Sequence, residues 1–218
     1  GATAEGEGKI TVNGNVSGDD FGVFALDTGS TVIVEGNVTA VGNGAQALSG
    51  AEIIIGGNVL GKFATYASGS GSSIEVGGDV TSNADSVDCS AVGVESGGSI
   101  EIGGNVSSVQ NGIIANGDNS AVFVRVAGDV TVTDADSGVG VSAYNANLEG
   151  ERAEVIIDGT ISAANYINVG TTTKTQENTL KPTTKLGYVT YKEGNNTVWV
   201  KAPGAGVSVN PSSLPSTG

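Results

Sequence analysis

Carboxylates in the longest loops are the side chains of this sequence that could bind a ligand. Two stretches of extra residues, 83–88 and 145–152, interrupt an otherwise regular repeat, and repeat proteins often carry their function on such insertions. The candidate ligand-facing residues in or near them are Asp85, Asp88, Asp134, Asp136, Glu149 and Glu151. Calcium is the cation that suits such oxygen ligands. Since the sequence has neither an EF-hand loop nor a glycine-rich nonapeptide repeat, we expect no metal and no other cofactor.

Histidine is absent from all 218 residues, and Cys89 is the only cysteine. Ser–His–Asp triads, Cys–His pairs and the common zinc sites are therefore excluded. Two carboxylates roughly 5 to 9 Å apart could still hydrolyse a glycosidic bond. Glu75 and Glu101 occupy matching positions in neighbouring repeats and could meet that spacing. Facing carboxylates on a solvated sheet are usually inert, so we assign no catalytic residue.

A seven-fold repeat organises the first 170 residues. Its unit is a glycine, a small polar residue and an aliphatic residue, beginning at Gly14, Gly36, Gly57, Gly78, Gly104, Gly128 and Gly159. The second and fourth residues before each glycine are aliphatic, as in Ile100 and Ile102, whereas the residue between them varies. This period-two alternation predicts a half-buried strand. We expect the glycine to supply the positive φ of a tight corner.

Most repeats hold three strand-like runs within 21 to 26 residues, which predicts a triangular coil that stacks on its neighbours. Left-handed coils are built from hexapeptides, and that period is absent. The sequence therefore predicts an all-β fold, a right-handed parallel β-helix of about seven coils. Coils about 4.8 Å apart would give a rod of roughly 34 Å.

The polar residue after the glycine is Asn or Asp in six repeats, and these residues should stack as a structural ladder at one corner: Asn15, Asn37, Asn58, Asp79, Asn105 and Asp129. Asn and Asp recur in turns because they hydrogen-bond locally. Three of the Asn residues also begin glycosylation sequons. The need for Asn at the corner explains these sequons without glycosylation, because Asp79 and Asp129 occupy the same position in other coils.

The repeat stops near Thr171. Two strand-like runs, 188–191 and 197–200, flank a short Gly/Asn loop and predict a β-hairpin. An open solenoid end exposes apolar core and strand edges. We therefore expect residues 171–202 to cap the β-helix of residues 1–170, with Tyr188, Tyr191 and Trp199 as the lid rather than a sugar-stacking platform. Residues 203–218 are rich in Gly, Ser and Pro, which predicts a flexible linker.

The chain ends in Leu214, Pro215, Ser216, Thr217 and Gly218, and this motif resembles the LPxTG sorting signal of Gram-positive surface proteins. The resemblance implies that sortase cuts between Thr217 and Gly218. It also implies that the Thr217 carbonyl is then joined to the peptidoglycan cross-bridge. On this reading the protein is extracellular and anchored to the cell wall.

The coils resemble the β-helix of pectate-lyase-like proteins in pattern, without a catalytic signature. Such lyases use clustered acids, calcium and basic residues, whereas the cations before Thr171 are only Lys9, Lys62, Arg125 and Arg152. We expect Arg125 to form a ladder of opposite charges with Glu75 and Glu101. The net charge of −14 opposes binding to nucleic acid, to an anionic membrane or to polygalacturonate. No stretch approaches the roughly 20 apolar residues of a membrane span.

These observations favour a non-catalytic surface protein, a stiff stalk or adhesin module that recognises an extracellular polysaccharide or host glycan. The alternative is a polysaccharide lyase or glycoside hydrolase. Ice or mineral binding by a flat polar face is disfavoured, because the outward column Thr11, Ile33, Ile54, Glu75, Glu101 and Arg125 is chemically irregular.

Overall fold

A computed structural model describes residues 1–84, 86, 89–118, 120–145, 152–176 and 185–203. Within them the chain forms three mostly parallel sheets and no helix. Each coil contributes one strand to each sheet, so the predicted parallel β-helix of about seven coils is confirmed. The right-handed sense of the winding stays a prediction.

Sheet A contains, in spatial order, β1 (Ala2–Ala4), β4 (Phe21–Leu26), β7 (Asn43–Leu48), β10 (Thr65–Ser68), β13 (Ser90–Glu95), β16 (Asn111–Asn116), β19 (Val139–Tyr144), β22 (Asn165–Val169) and β23 (Thr172–Lys174). Sheet B contains β2 (Lys9–Val12), β5 (Thr31–Val34), β8 (Glu52–Ile55), β11 (Ser73–Val76), β14 (Ser99–Ile102), β17 (Val122–Val126), β20 (Ala153–Ile157), β25 (Asn196–Lys201) and β24 (Tyr188–Glu193). Sheet C contains β3 (Val16–Gly18), β6 (Val38–Ala40), β9 (Val59–Gly61), β12 (Val80–Ser82), β15 (Val106–Ser108), β18 (Val130–Val132) and β21 (Ile161–Ser162).

The aliphatic doublets of sheet B point into the core, as the alternation predicted. Ile100 and Val124 are fully buried, and they lie side by side in the register of β14 and β17. Ile10 and Val12 of the first coil are only half-buried, because β2 pairs with a strand on one side alone within the described residues. The core is thus a stack of equivalent aliphatic layers, each covered by the next.

The C-terminal hairpin caps this stack. Its second strand, β25, pairs in parallel with β20 and adds one more rung to sheet B, while β24 lies antiparallel at the edge. Val198 and Tyr191 face inward and are buried in the core, and the Tyr191 ring lies edge-on to Tyr166 with centroids 5.7 Å apart. Tyr188 and Trp199 are half-buried on the opposite, outward face. The lid is therefore made by Tyr191 and its aliphatic neighbours.

The prediction that the repeat glycine supplies a positive φ is wrong. None of the seven glycines that begin the unit is among the glycines with positive φ. Six of them instead lie directly over the preceding coil. A Cβ at Gly57, for example, would stand 2.5 Å from Asn37 Oδ1 and 2.7 Å from the Gly36 carbonyl oxygen. Gly14 has no coil beneath it, and a Cβ there would meet nothing within 4 Å. Close stacking of the coils, rather than backbone conformation, requires glycine.

Candidate functional site

The corner between sheets B and C carries a continuous ladder of hydrogen bonds. The side-chain Oδ1 of each Asn or Asp accepts the backbone N–H of the equivalent residue in the next coil, at 2.6 to 2.9 Å. The ladder runs through Asn15, Asn37, Asn58, Asp79, Asn105 and Asp129 to Thr160. All six acceptor residues are exposed. Because each oxygen already binds a backbone N–H, this column ties the coils together.

Asp134 and Asp136 lie in the loop that leads from sheet C back to sheet A. Oδ1 of Asp134 accepts the backbone N–H groups of Asp136 at 2.8 Å and Ser137 at 2.9 Å. Its other oxygen accepts from Gln110 and from the Ser137 hydroxyl. The backbone hydrogen bonds, first from Ser137 and then from Asp136, lower the pKa of Asp134. This carboxylate therefore organises a turn.

The other four acidic candidates, Asp85, Asp88, Glu149 and Glu151, lie outside the described residues, as do Leu214, Pro215, Ser216, Thr217 and Gly218. In the part of the chain that the structure describes, no group of three or more Cys, Asp or Glu side chains could hold a metal ion.

Glu75 and Glu101 are direct neighbours on the outward face of sheet B, and both are exposed. They line a shallow recess of about 220 Å³ with Arg125. Arg125 does not use them as its ion-pair partners. Its Nε and Nη2 both donate to Asp158 Oδ2, at 3.0 and 2.8 Å. The expected ladder of Arg125 with Glu75 and Glu101 is therefore not formed. Arg125 instead makes an ion pair with Asp158, at the corner of the next coil. The two glutamates are adjacent on a solvent-exposed face of the sheet.

Asp158 links the coil to the cap. Its Oδ1 accepts the Tyr188 hydroxyl, and its Oδ2 accepts Arg125. Partial burial opposes the ionised form, but the hydrogen bonds from Tyr188 and Arg125 prevail and lower the pKa of Asp158. The same bond to Asp158, together with burial, raises the pKa of Tyr188. A polar three-residue cluster thus fixes the hairpin to the last complete coil.

The outward side of sheet A carries apolar and aromatic side chains among polar ones. Phe24, Gln46 and Tyr66 stand in one column, on successive coils, and all are half-buried. Leu26 and Leu48 form a parallel column beside them. We call these five residues, together with Phe21, Ser68 and Glu95, the aromatic face. Such half-buried rings among polar groups present a surface suited to ligand binding.

Contacts with neighbouring residues fix the positions of the rings of the aromatic face. The Tyr66 hydroxyl donates to Glu95 Oε1, and the Ser68 hydroxyl reaches the same oxygen at 3.4 Å. Gly93 provides the space for the ring, since a Cβ there would stand 3.0 Å from Tyr66 Cδ2. Burial, then the bond to Glu95, raises the pKa of Tyr66 to about 12. The Phe21 and Phe24 rings lie 5.4 Å apart.

Sequence reasoning from the acidic insertions missed the aromatic face. Its signal was available in the third run of each coil, where Phe24, Gln46 and Tyr66 align once the neighbouring alanines are placed inward. The column was overlooked because its residue types differ from coil to coil, whereas a repeat is recognised by similar residues at equivalent positions.

Among the described residues there is no helix with the length and hydropathy needed to cross a bilayer. No protein-family model, no curated protein and no solved structure matches this chain.

Proposed function

We propose that this chain is a non-catalytic module of a bacterial cell surface, a stiff β-helical rod that presents a glycan-binding face. The observation that carries the proposal is the aromatic face on a continuous parallel sheet. Hydrogen-bonded rungs hold its side chains at fixed spacing, because parallel strands lie about 4.8 Å apart. A rigid array of this kind costs little entropy to bind a repeating ligand.

The chemistry of the aromatic face suits a sugar chain lying along the rod. Phe24 and Tyr66 are two rungs apart, about 10 Å, and offer apolar rings against which the C–H face of a pyranose can stack. Gln46 lies on the rung between them, and Glu95 lies on the rung after Tyr66. These groups can hydrogen-bond the sugar hydroxyls. Alternating rings and polar groups therefore match alternating features of an extended glycan.

Attachment to the wall is proposed from Leu214–Gly218. The test is incubation of the full chain with sortase and an amine that mimics the cross-bridge. The expected product has lost Gly218 and gained the amine at the Thr217 carbonyl, measured by mass spectrometry. Thr217→Ala should give no product, whereas Ser216→Ala should react, since the middle position of the motif is variable. An unreactive parent chain would remove the wall-anchor proposal.

Glycan binding is tested by screening the folded protein on a glycan array and titrating the best ligand. Phe24→Ala and Tyr66→Ala should each weaken binding by about tenfold, in line with the loss of one stacked ring. Val41→Ala, which removes an exposed aliphatic side chain from another surface, should leave affinity unchanged. If the ring variants bind as tightly as the parent, the aromatic face is not the site.

A polysaccharide-active enzyme is the second candidate, favoured only by the adjacency of Glu75 and Glu101. We expect no reducing sugar and no unsaturated product from any polysaccharide. Should turnover appear and vanish in Glu75→Gln/Glu101→Gln, the enzymatic function would replace the stalk.

A further inference from the structure

The aromatic face contains a single charged side chain, that of Glu95, which is half-buried at the end of β13. Its carboxylate accepts hydrogen bonds from the hydroxyl groups of Tyr66 and Ser68. Because both donors are neutral, these bonds hold the carboxylate in position without cancelling its charge. A partly buried charge interacts with an opposite charge more strongly than a fully exposed one does, since the surrounding dielectric is lower.

Basic side chains are missing from the strands that form this face. The sheet A strands from β1 to β22, as the structure describes them, contain no lysine and no arginine. Lys62 precedes β10, at the edge of the sheet opposite to Glu95, and Arg152 lies 3.5 Å from Glu154 of sheet B. Asp118 follows β16 and adds a carboxylate at the same edge as Glu95. The local potential of the aromatic face therefore attracts cations and repels anions.

Phenol rings lie on both sides of Glu95 along the rod. Tyr66 is on the preceding rung. Tyr144 is two rungs further on, in the same column as Glu95, and is half-buried. Burial, then the charge of Asp118 and then that of Glu95 raise the pKa of Tyr144. Both phenols are therefore neutral beside the carboxylate, and the electron-rich face of such a ring attracts an ammonium group.

We propose that the aromatic face binds a glycan of amino sugars that carry free ammonium groups, such as oligoglucosamine. A glucosamine unit combines the C–H face of a pyranose, which stacks on Tyr66 or Phe24, with an ammonium group, which pairs with Glu95. A neutral sugar uses the rings alone, and a cationic peptide without pyranose rings uses the carboxylate alone. The proposal rests on the proposed function, because it names the class of glycan for the face assigned there.

Calorimetric titration of the full chain tests the proposal, with a short glucosamine oligomer and with its N-acetylated form, which has the same backbone but no charge. In mildly acidic buffer the glucosamine oligomer should bind at least about tenfold more tightly, since a charged hydrogen bond is added. The difference should shrink at high salt. Equal affinity for the N-acetylated oligomer would overturn the ammonium requirement and leave the glycan-binding function standing. Equal affinity for an oligolysine of matched charge would overturn the assignment to a sugar.

Glu95→Gln locates the charge that selects the ligand, because glutamine keeps an oxygen for the Tyr66 and Ser68 hydroxyls. This variant should bind the glucosamine oligomer about tenfold more weakly and the N-acetylated oligomer unchanged.

Glu35→Gln is the matched control, since Glu35 is exposed at the end of β5 in sheet B and its loss changes the net charge equally. Its affinity for both oligomers should equal that of the parent chain, and circular dichroism establishes that each variant is folded. Equal weakening in the two variants would trace binding to the overall charge of the rod and refute the proposal. Phe24→Ala should weaken binding of both oligomers, so that failure of ring stacking and failure of ammonium pairing are separate results.

Discussion

Replacing Gly57 by alanine tests whether close stacking of the coils is what the repeat glycine provides. The new Cβ would stand 2.5 Å from Asn37 Oδ1 and 2.7 Å from the Gly36 carbonyl oxygen, against the 3.4 Å at which ordinary contact begins, so the two coils would have to separate by about 0.7 Å to clear the backbone oxygen. Two hydrogen bonds span that gap, Asn58 N–H to Asn37 Oδ1 at 2.8 Å and Gly57 N–H to the Gly36 oxygen at 3.1 Å. Such a separation takes both beyond hydrogen-bonding range.

The expected loss of stability follows from these contacts. Each lost hydrogen bond costs about 1 kcal/mol, and overpacking costs about 1–3 kcal/mol more. Alanine returns about 0.4–1 kcal/mol by restricting the unfolded chain. Gly57→Ala should therefore lower the free energy of unfolding by about 2–4.6 kcal/mol. In a chain of this size that corresponds to a fall of roughly 10 °C in Tm.

Gly14→Ala is the matched control, since the same position in the first coil has no coil beneath it. Its effect should lie between zero and a stabilisation of about 1 kcal/mol. Urea unfolding followed by far-ultraviolet circular dichroism reports on the coils, while Trp199 emission reports on the cap. Equal destabilisation by the two substitutions would refute the stacking argument, because it would locate the requirement in the backbone of the corner itself.

Three further predictions concern the ladder, the cap and the aromatic face. Asn58→Ala removes the acceptor of the Asp79 N–H and should lower the free energy of unfolding, measured in urea, by about 1 kcal/mol. Asn58→Asp keeps the acceptor and should lower it by less than half as much. Equal losses of stability in the two variants would contradict the ladder's role. The folded-state pKa of Asp158 lies below its ordinary 3.8, so its contribution to stability is present above about pH 4 and is lost as pH falls through the folded-state value. Cap unfolding followed by Trp199 emission should show this acid sensitivity, and Asp158→Asn should abolish it; an unchanged acid profile would remove Asp158 as the link. Absorbance titration should find one phenol, absent in Tyr66→Phe, that ionises near pH 12, and Glu95→Gln should lower its pKa; an unshifted titration in that variant would separate Tyr66 from Glu95.

Local pattern was enough to predict the coils and the hairpin. The doublets such as Ile53 and Ile55 specify strands because side chains alternate between two faces with a period of two. Their recurrence specifies stacking, since a single coil cannot bury its apolar side alone. The hairpin was predicted because a short loop of Gly and Asn between two β-rich runs favours a tight turn between antiparallel strands.

The partners of individual side chains were decided only by the tertiary structure. Arg125 was expected to pair with Glu101, its neighbour by register, but it bonds Asp158 at the end of the next strand. The two arginine N–H groups can converge on one oxygen there. Alternation places Tyr188 and Tyr191 on opposite faces of one strand, but only the pairing of the hairpin with β20 decides that Tyr191 is the buried one.

The sequence by itself determined the repeat, the aliphatic interior and the ladder of Asn and Asp, because each depends on residue type at a fixed phase. It could not determine why glycine occupies the corner, since the 2.5 Å clash that a Cβ at Gly57 would make with Asn37 Oδ1 arises only once one coil lies on another. Nor could it assemble Phe24, Gln46 and Tyr66 into one face. That face exists because parallel pairing brings residues some twenty positions apart to neighbouring rungs, and only the stacked chain has such neighbours.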